Sequence, residues 1–275
     1  MCRMLAVRSA DRGVRRDVLL GFQMQAARSF NGPEADRSHG DGWGIAGTLI
    51  QEMAHAGRSP LDASKDPEYR RAVERSETVP GDRFLLAHVR NASAGSVRLE
   101  NSHPFVRAGW AFAHNGTVHG VEAPAGMTPQ GETDSEKFFL HILHDFERTG
   151  DMARSIRQVL PRLAAKHSHS SLTFLLTDGR TLYALRRVGP DVDECGTREC
   201  QLEYYALGHG RYQGADVVTQ EPQLFAGIEH WSELPDGTLL VLGPDGKRET
   251  LPVFTEPAPI KRPRTASAAA PSAQK

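Results

Sequence analysis

Cysteine is scarce in this chain. Three thiols in 275 residues, Cys2, Cys195 and Cys200, are too few for a disulfide framework. Long apolar runs are missing as well: none approaches the ~20 residues of a membrane-spanning helix, so no membrane partner is expected. The first residues hold no extended apolar stretch before a small-residue cleavage site, which argues against a secretory signal peptide. Charge of neither sign dominates. The 33 Lys and Arg residues against 34 Asp and Glu give a net charge of -1, which removes the general electrostatic argument for nucleic acid. No internal repeat is visible. What remains is a globular composition, 39% apolar and 24% charged, long enough for one large domain or two small ones. The expectation is a cytoplasmic enzyme or binding protein.

The chain opens Met1-Cys2-Arg3-Met4-Leu5-Ala6-Val7. A methionine before a small residue is readily removed, and Cys2 then carries thiol and α-amine together. An α-amine titrates near pH ~8, so one residue can supply both nucleophile and base. Read as structure only, Cys2 is a small apolar side chain entering a strand.

Residues 4–7 predict a buried strand, and residues 15–28 a helix by the spacing of Val18, Leu19, Phe22 and Ala26. The stretch Gly40-Asp41-Gly42-Trp43-Gly44 resembles a phosphate cradle, but no Lys-Ser/Thr pair follows and Asp41 repels phosphate. Its glycines fit close backbone packing at the entry to a strand. A surface helix is expected over 66–77 and a strand over 84–90. Arg90 ends that strand at a turn of small residues, where a guanidinium fork suits a carboxylate. A second strand, 110–114, stops at Asn115-Gly116. As structure this pair is a hairpin signal; as chemistry, an asparagine amide and a neighbouring N–H can share one oxyanion.

Thr133 or Asp134 is placed to cap a helix over 138–146. Another helix is expected over 152–165, kinked or ended by Pro161. Strands at 171–177 and 181–185 flank a hairpin turn at Asp178-Gly179, and 202–206, 217–220 and 239–242 are further strand candidates. Residues 193–200 look like a loop. The pair His141 and His144 lacks the acidic pattern of a metalloprotease helix, and Cys195 with Cys200 lacks a second ligand pair, so no metal is assigned. A globular domain over 2–254 and a disordered tail over 255–275, rich in Pro, Ala and Ser, complete the division.

Five stretches stand in a fixed order: Cys2, Asp41-Gly42-Trp43-Gly44-Ile45-Ala46, Ala87-His88-Val89-Arg90-Asn91-Ala92-Ser93, His114-Asn115-Gly116, and Glu132-Thr133-Asp134-Ser135-Glu136. Together they resemble the class II glutamine amidotransferases, whose glutaminase domain is an N-terminal-nucleophile hydrolase. The small stand-alone members, with Asn-x-His-Pro-Phe as in Asn101 to Phe105, are the most similar. The resemblance implies an α+β fold, a four-layer αββα sandwich of two antiparallel sheets, with no cofactor. It implies Cys2 as nucleophile with its α-amine as base, and Asn115 with the Gly116 N–H as oxyanion hole. Arg90 takes the α-carboxylate of glutamine and Asp134 its α-ammonium, with Ser93 and His103 supporting. The sequence departs from the larger synthases at Cys2-Arg3-Met4 and at Arg90-Asn91-Ala92-Ser93. Nothing downstream resembles a synthase, so a separate synthase or acceptor subunit is expected to use the ammonia. Two alternatives stand beside this reading: a hydrolase of other γ-glutamyl compounds, and a catalytically silent binding module.

Overall fold

The computed structural model describes residues 2–28, 38–191 and 196–256. Met1, Cys195 and the tail beyond Glu256, on which three of the expectations above fall, lie outside the described residues. Strand β1 (Arg3–Arg8) sits at the centre of a seven-stranded antiparallel sheet, between β4 (Leu85–Val89) and β10 (Ala215–Thr219). β2 (Trp43–Leu49) and β3 (Glu52–Ser59) continue beyond β4, while β9 (Gly208–Tyr212) and β11 (Glu229–Glu233) continue beyond β10. The second sheet has six strands in the order β13 (Arg248–Pro252), β12 (Thr238–Leu242), β8 (Leu182–Arg186), β7 (Thr173–Thr177), β6 (Trp110–Asn115) and β5 (Phe105–Arg107).

Strand periodicity sorts the side chains into three apolar layers. From β1, Met4 and Ala6 join Leu86, Ala111, Ala113, Leu175, Ala184, Val218 and Leu240 between the two sheets. The alternate residues Leu5 and Val7 face outward onto α1 (Arg12–Ala27) and α2 (Pro67–Ser76), through Val18, Leu19, Phe22, Tyr69 and Val73. On the far side, Phe112, Phe174, Leu176 and Leu185 pack on Phe138, Phe139 and Ile142 of α3 (Asp134–Thr149) and on Ile156 and Leu160 of α4 (Met152–Lys166). The result is the expected αββα sandwich. At ~1.5–3 kcal/mol per fully buried large apolar side chain, these three layers supply the main driving force for folding.

Two local expectations are corrected. Asn115-Gly116 is no hairpin: β6 leaves through α3 and α4 and returns as β7, which pairs Thr173 with Asn115. Residues 202–206 are not a strand, because Thr197 accepts the Cys200 N–H and starts the short helix α5 (Arg198–Tyr204); that helix also replaces the end of the expected 193–200 loop. The helix expected over 152–165 is present as α4, which runs through Pro161 to Lys166, and Arg162 Nε donates to the carbonyl of Gln158 at 2.7 Å across the proline turn. The hairpin at Asp178-Gly179 joins β7 to β8, with Asp178 Oδ1 accepting from Arg180 N and Thr181 N.

Candidate active site

The site lies where the ends of β1, β4 and β6 meet. Pairing of Arg3 with Val89 sets Cys2 beside the end of β4, where Arg90 follows. Cys2 is half-buried; its backbone N–H donates to Asn115 Oδ1 at 3.1 Å, and its thiol points at the Asn91 carbonyl at 3.6 Å. Because a backbone N–H can only donate, this contact fixes the oxygen end of the Asn115 amide. The nitrogen end donates to Gln220 Oε1 at 3.2 Å. Burial pushes the Cys2 thiol pKa up, opposed by the positive charges of Arg90 and Arg3.

Gly116 follows at a φ of +151°, and a Cβ there would lie 2.2 Å from the Ser171 carbonyl oxygen. Only glycine fits. Next to it, His114 Nε2 lies 3.1 Å from the same Ser171 carbonyl, so Nε2 carries the proton and Nδ1 accepts from the Ser135 hydroxyl at 2.9 Å. Burial holds His114 below the usual imidazole pKa, against the opposing charge of Asp134.

Arg90 is buried, and its guanidinium gathers the loop that follows it. It donates to the carbonyls of Ala94 at 2.8 Å, Gly95 at 3.3 Å and Ser96 at 3.1 Å. Asp41 holds the same loop from outside, accepting from Ala92 N at 2.8 Å, while Asp41 N donates to the Arg90 carbonyl. Across the cleft, Thr133 is the N-cap of α3, its hydroxyl oxygen accepting from Glu136 N, and Asp134 Oδ2 accepts from Val118 N at 2.5 Å. Ser93 and Thr117 pair through their hydroxyls at 3.0 Å. Cys2, Arg90, Ser93, His103, Gly116 and Asp134 all line one narrow cleft, together with Asn91, Thr133 and Ser135. Of the seven site residues expected from the sequence, six line this cleft and the seventh, Asn115, is bonded to Cys2.

The glycines of the Asp41 stretch do pack closely. A Cβ on Gly44 would lie 2.4 Å from the His103 carbonyl oxygen, so Gly44 lets the His103-Pro104 segment lie against β2. That approach brings His103 onto His88: Nδ1 of His103 and Nε2 of His88 are 2.9 Å apart. Both rings are buried, and burial drives both pKa values well below the usual imidazole value. Several residues here escaped the sequence reading. His88 shares a strand face with Arg90 two residues on, a period-two signal that was available. The supports on the other side, Arg3, Gln220 and Glu221, carried none. Arg3 donates to the Cys2 carbonyl at 3.0 Å and to Glu221 Oε1 at 2.6 Å, fully buried, with its guanidinium over the Tyr204 ring.

Residues 1–193 match the family described as "Glutamine amidotransferases class-II". The chain belongs to that family. Among class II relatives, the protein YafJ of Escherichia coli is 37% identical over 111 residues, which span 36% of this chain and 44% of YafJ. The gamma-glutamyl-hercynylcysteine sulfoxide hydrolase of Mycobacterium tuberculosis is 29% identical over 151 residues, 54% of this chain and 63% of that protein. The matched segments thus span less than two thirds of these relatives. In fold, the chain is similar to the glutamine phosphoribosylpyrophosphate amidotransferase of Bacillus subtilis, with a TM-score of 0.63 at 16% identity. That likeness covers 93% of this chain and 50% of that one. The likeness extends over both sheets and supports the αββα sandwich expected from the sequence. No helix among the described residues is long and apolar enough to cross a membrane.

Proposed function

We propose that this protein is a glutamine amidohydrolase that cleaves the side-chain amide of glutamine through a Cys2 thioester and releases ammonia. The observation that carries the proposal is the contact of Cys2 N with Asn115 Oδ1 at the mouth of a cleft holding one arginine and one aspartate. Removal of Met1 converts Cys2 N into an amine, which takes the thiol proton as the sulfur attacks the amide carbon. The second N–H of the Asn115 amide and the Gly116 N–H meet the developing oxyanion. Collapse expels ammonia with the proton returned from the amine, and water then hydrolyses the thioester. Arg90 takes the α-carboxylate and Asp134 the α-ammonium, with Ser93 and His103 lining the cleft between them. An acceptor subunit that uses the ammonia is part of the proposal, as is a cytoplasmic setting.

A second reading shares every residue: cleavage of another γ-glutamyl amide, with an amine in place of ammonia as leaving group. Similarity to the mycobacterial hydrolase favours it. The test is a glutamine analogue bearing a diazo-ketone, followed by intact mass and peptide mapping, with glutamine and γ-glutamyl peptides assayed in parallel. We expect a chain lacking Met1, covalent label on Cys2, and ammonia release that Cys2→Ala abolishes. Label confined to Cys195 or Cys200 overturns the nucleophile. Intact Met1 with no turnover favours a binding module, and cleavage of γ-glutamyl peptides with glutamine untouched favours the second reading.

A further inference from the structure

Cys2, His88 and His103 form a cluster of which the proposed hydrolysis uses the thiol and the cleft wall of His103, but no imidazole chemistry. One ligating atom from each, the Cys2 sulfur and a ring nitrogen of either histidine, lies within 4.8 Å of the other two. No other such group of three occurs among the described residues. His88 is fully buried and His103 is 3% exposed, and His103 Nε2 has no hydrogen-bond partner there. An unpartnered buried ring nitrogen is costly unless something binds it. We propose that this trio is a reversible binding site for a thiophilic d10 cation, of which Zn2+ is the test case, and that occupancy switches the enzyme off.

The donor set fits that ion. One thiolate and two neutral imidazoles are ligands of zinc, and a tetrahedral site sets its donors roughly 3.3–3.6 Å apart. Nδ1 of His103 and Nε2 of His88, 2.9 Å apart, must part slightly, and a pair near the 4.8 Å bound must close by on the order of 1 Å. Burial keeps both rings neutral, which is the form that ligates. On binding, the Cys2 thiol loses its proton to solvent and an S–metal bond forms, while the imidazoles donate lone pairs without a change of charge. No oxidant or reductant is involved. Cys2 and His103 both line the cleft, from which solvent would supply a fourth ligand. Arg90 acts electrostatically on both Cys2 and His88, and its charge opposes a dication, which makes the site reversible rather than a permanent structural centre. A sulfur held by metal cannot attack an amide; this inhibitory half of the proposal rests on Cys2 being the nucleophile, whereas binding rests on geometry alone.

The experiment uses full-length protein with Cys195→Ser and Cys200→Ser, so that Cys2 is its one thiol, treated with chelator and then titrated with Co2+ or Zn2+. One Co2+ per chain should give a near-ultraviolet thiolate-to-cobalt charge-transfer band with the visible bands of a tetrahedral site. Zn2+ should displace it and slow iodoacetamide labelling of Cys2 by at least about tenfold, with recovery on adding EDTA. His103→Ala or His88→Asn, checked for a wild-type melting curve, should raise the Zn2+ needed for protection on the order of 10-fold or more. Absence of the thiolate band overturns the site, as does equal protection in both histidine variants. Because the band is read without turnover, its absence leaves the amidohydrolase proposal standing. Binding without inhibition of a Cys2-dependent activity overturns only the switch.

Discussion

Cys2 leads into β1 of one sheet and Asn115 ends β6 of the other, and the hydrogen bond from Cys2 N to Asn115 Oδ1, 3.1 Å long, joins the two at the site. The same amide donates to Gln220, which follows β10 of the first sheet. Asn115 is therefore clamped from both ends before any substrate arrives. This preorganisation is what an oxyanion donor needs, since a donor already in place costs no reorganisation in the transition state.

Replacing Asn115 by alanine should lower kcat by about 10²–10³ with a smaller change in KM. Steady-state kinetics on a variant with a normal melting curve checks this. A variant near wild-type activity removes Asn115 from the mechanism.

Arg90→Lys loses the planar fork that collects the carbonyls of residues 94–96, and Asp134→Asn loses a charge beside the cleft. Each should weaken glutamine capture by on the order of 1.5–3 kcal/mol per charge-assisted hydrogen bond, read as a raised KM. Asp134→Asn should also reduce discrimination against substrates lacking the α-amine. Since Thr133 caps α3, helix stability is not the expected casualty; loss of Tm with unchanged KM would contradict the assignment.

Glu221→Ala should destabilise the fold by roughly 3–5 kcal/mol, because it removes the carboxylate that pairs with the buried Arg3 guanidinium. It should also lower kcat, because Arg3 holds the Cys2 carbonyl. Denaturant melts and kinetics measured together check both. A marginal stability change would show that the pair is not needed to hold Arg3 in place.

Acid should destabilise the protein before its carboxylates titrate. Burial holds His39 down at about 3 and His55 at about 4, and keeps His88 and His103 well below the usual value. The unfolded chain protonates these rings near pH ~6.5, so below that pH it binds more protons than the native state. Stability is therefore full above about pH 6.5 and falls as pH drops, by about 1.4 kcal/mol per pH unit for each ring that stays neutral. Melting curves taken from pH ~7.5 to ~5 should show a level Tm above about pH 6.5 and a declining one below it. A flat profile would count against buried neutral histidines.

A chain ending at Glu256 should keep its Tm and basal hydrolysis, but one ending before Phe254 should not. Arg187 stacks over the Phe254 ring at 4.2 Å and donates to the Glu256 carbonyl at 2.9 Å, so contacts to the folded body run two residues past the boundary expected at 254. Calorimetry on the two truncations separates the cases.

The sequence by itself determined most of the central elements and the order of the motif residues, and the layers followed from the resemblance that those motifs carry. Central strands such as β1, β4 and β7 are buried on both faces and read as apolar runs, and α1, α3 and α4 announce themselves by spacing and caps. The strands that escaped notice lie mainly at or near the sheet edges. β11 and β13 are largely exposed, β3 is half-buried, and none of the three carries a clean alternation, while β9 holds two glycines where β11 crosses closely. Motif order named Cys2, Arg90, Asn115, Gly116 and Asp134 because each residue type is tied to its chemistry. What only the tertiary structure decided is which residues support them. Gln220 and Glu221 reach the site from more than a hundred residues downstream of Asn115, through the pairing of β10 with β1. His103 meets His88 because Gly44 lets a loop onto the sheet. Such contacts depend on strand register and on the absence of a side chain, and neither leaves a periodic mark along the chain.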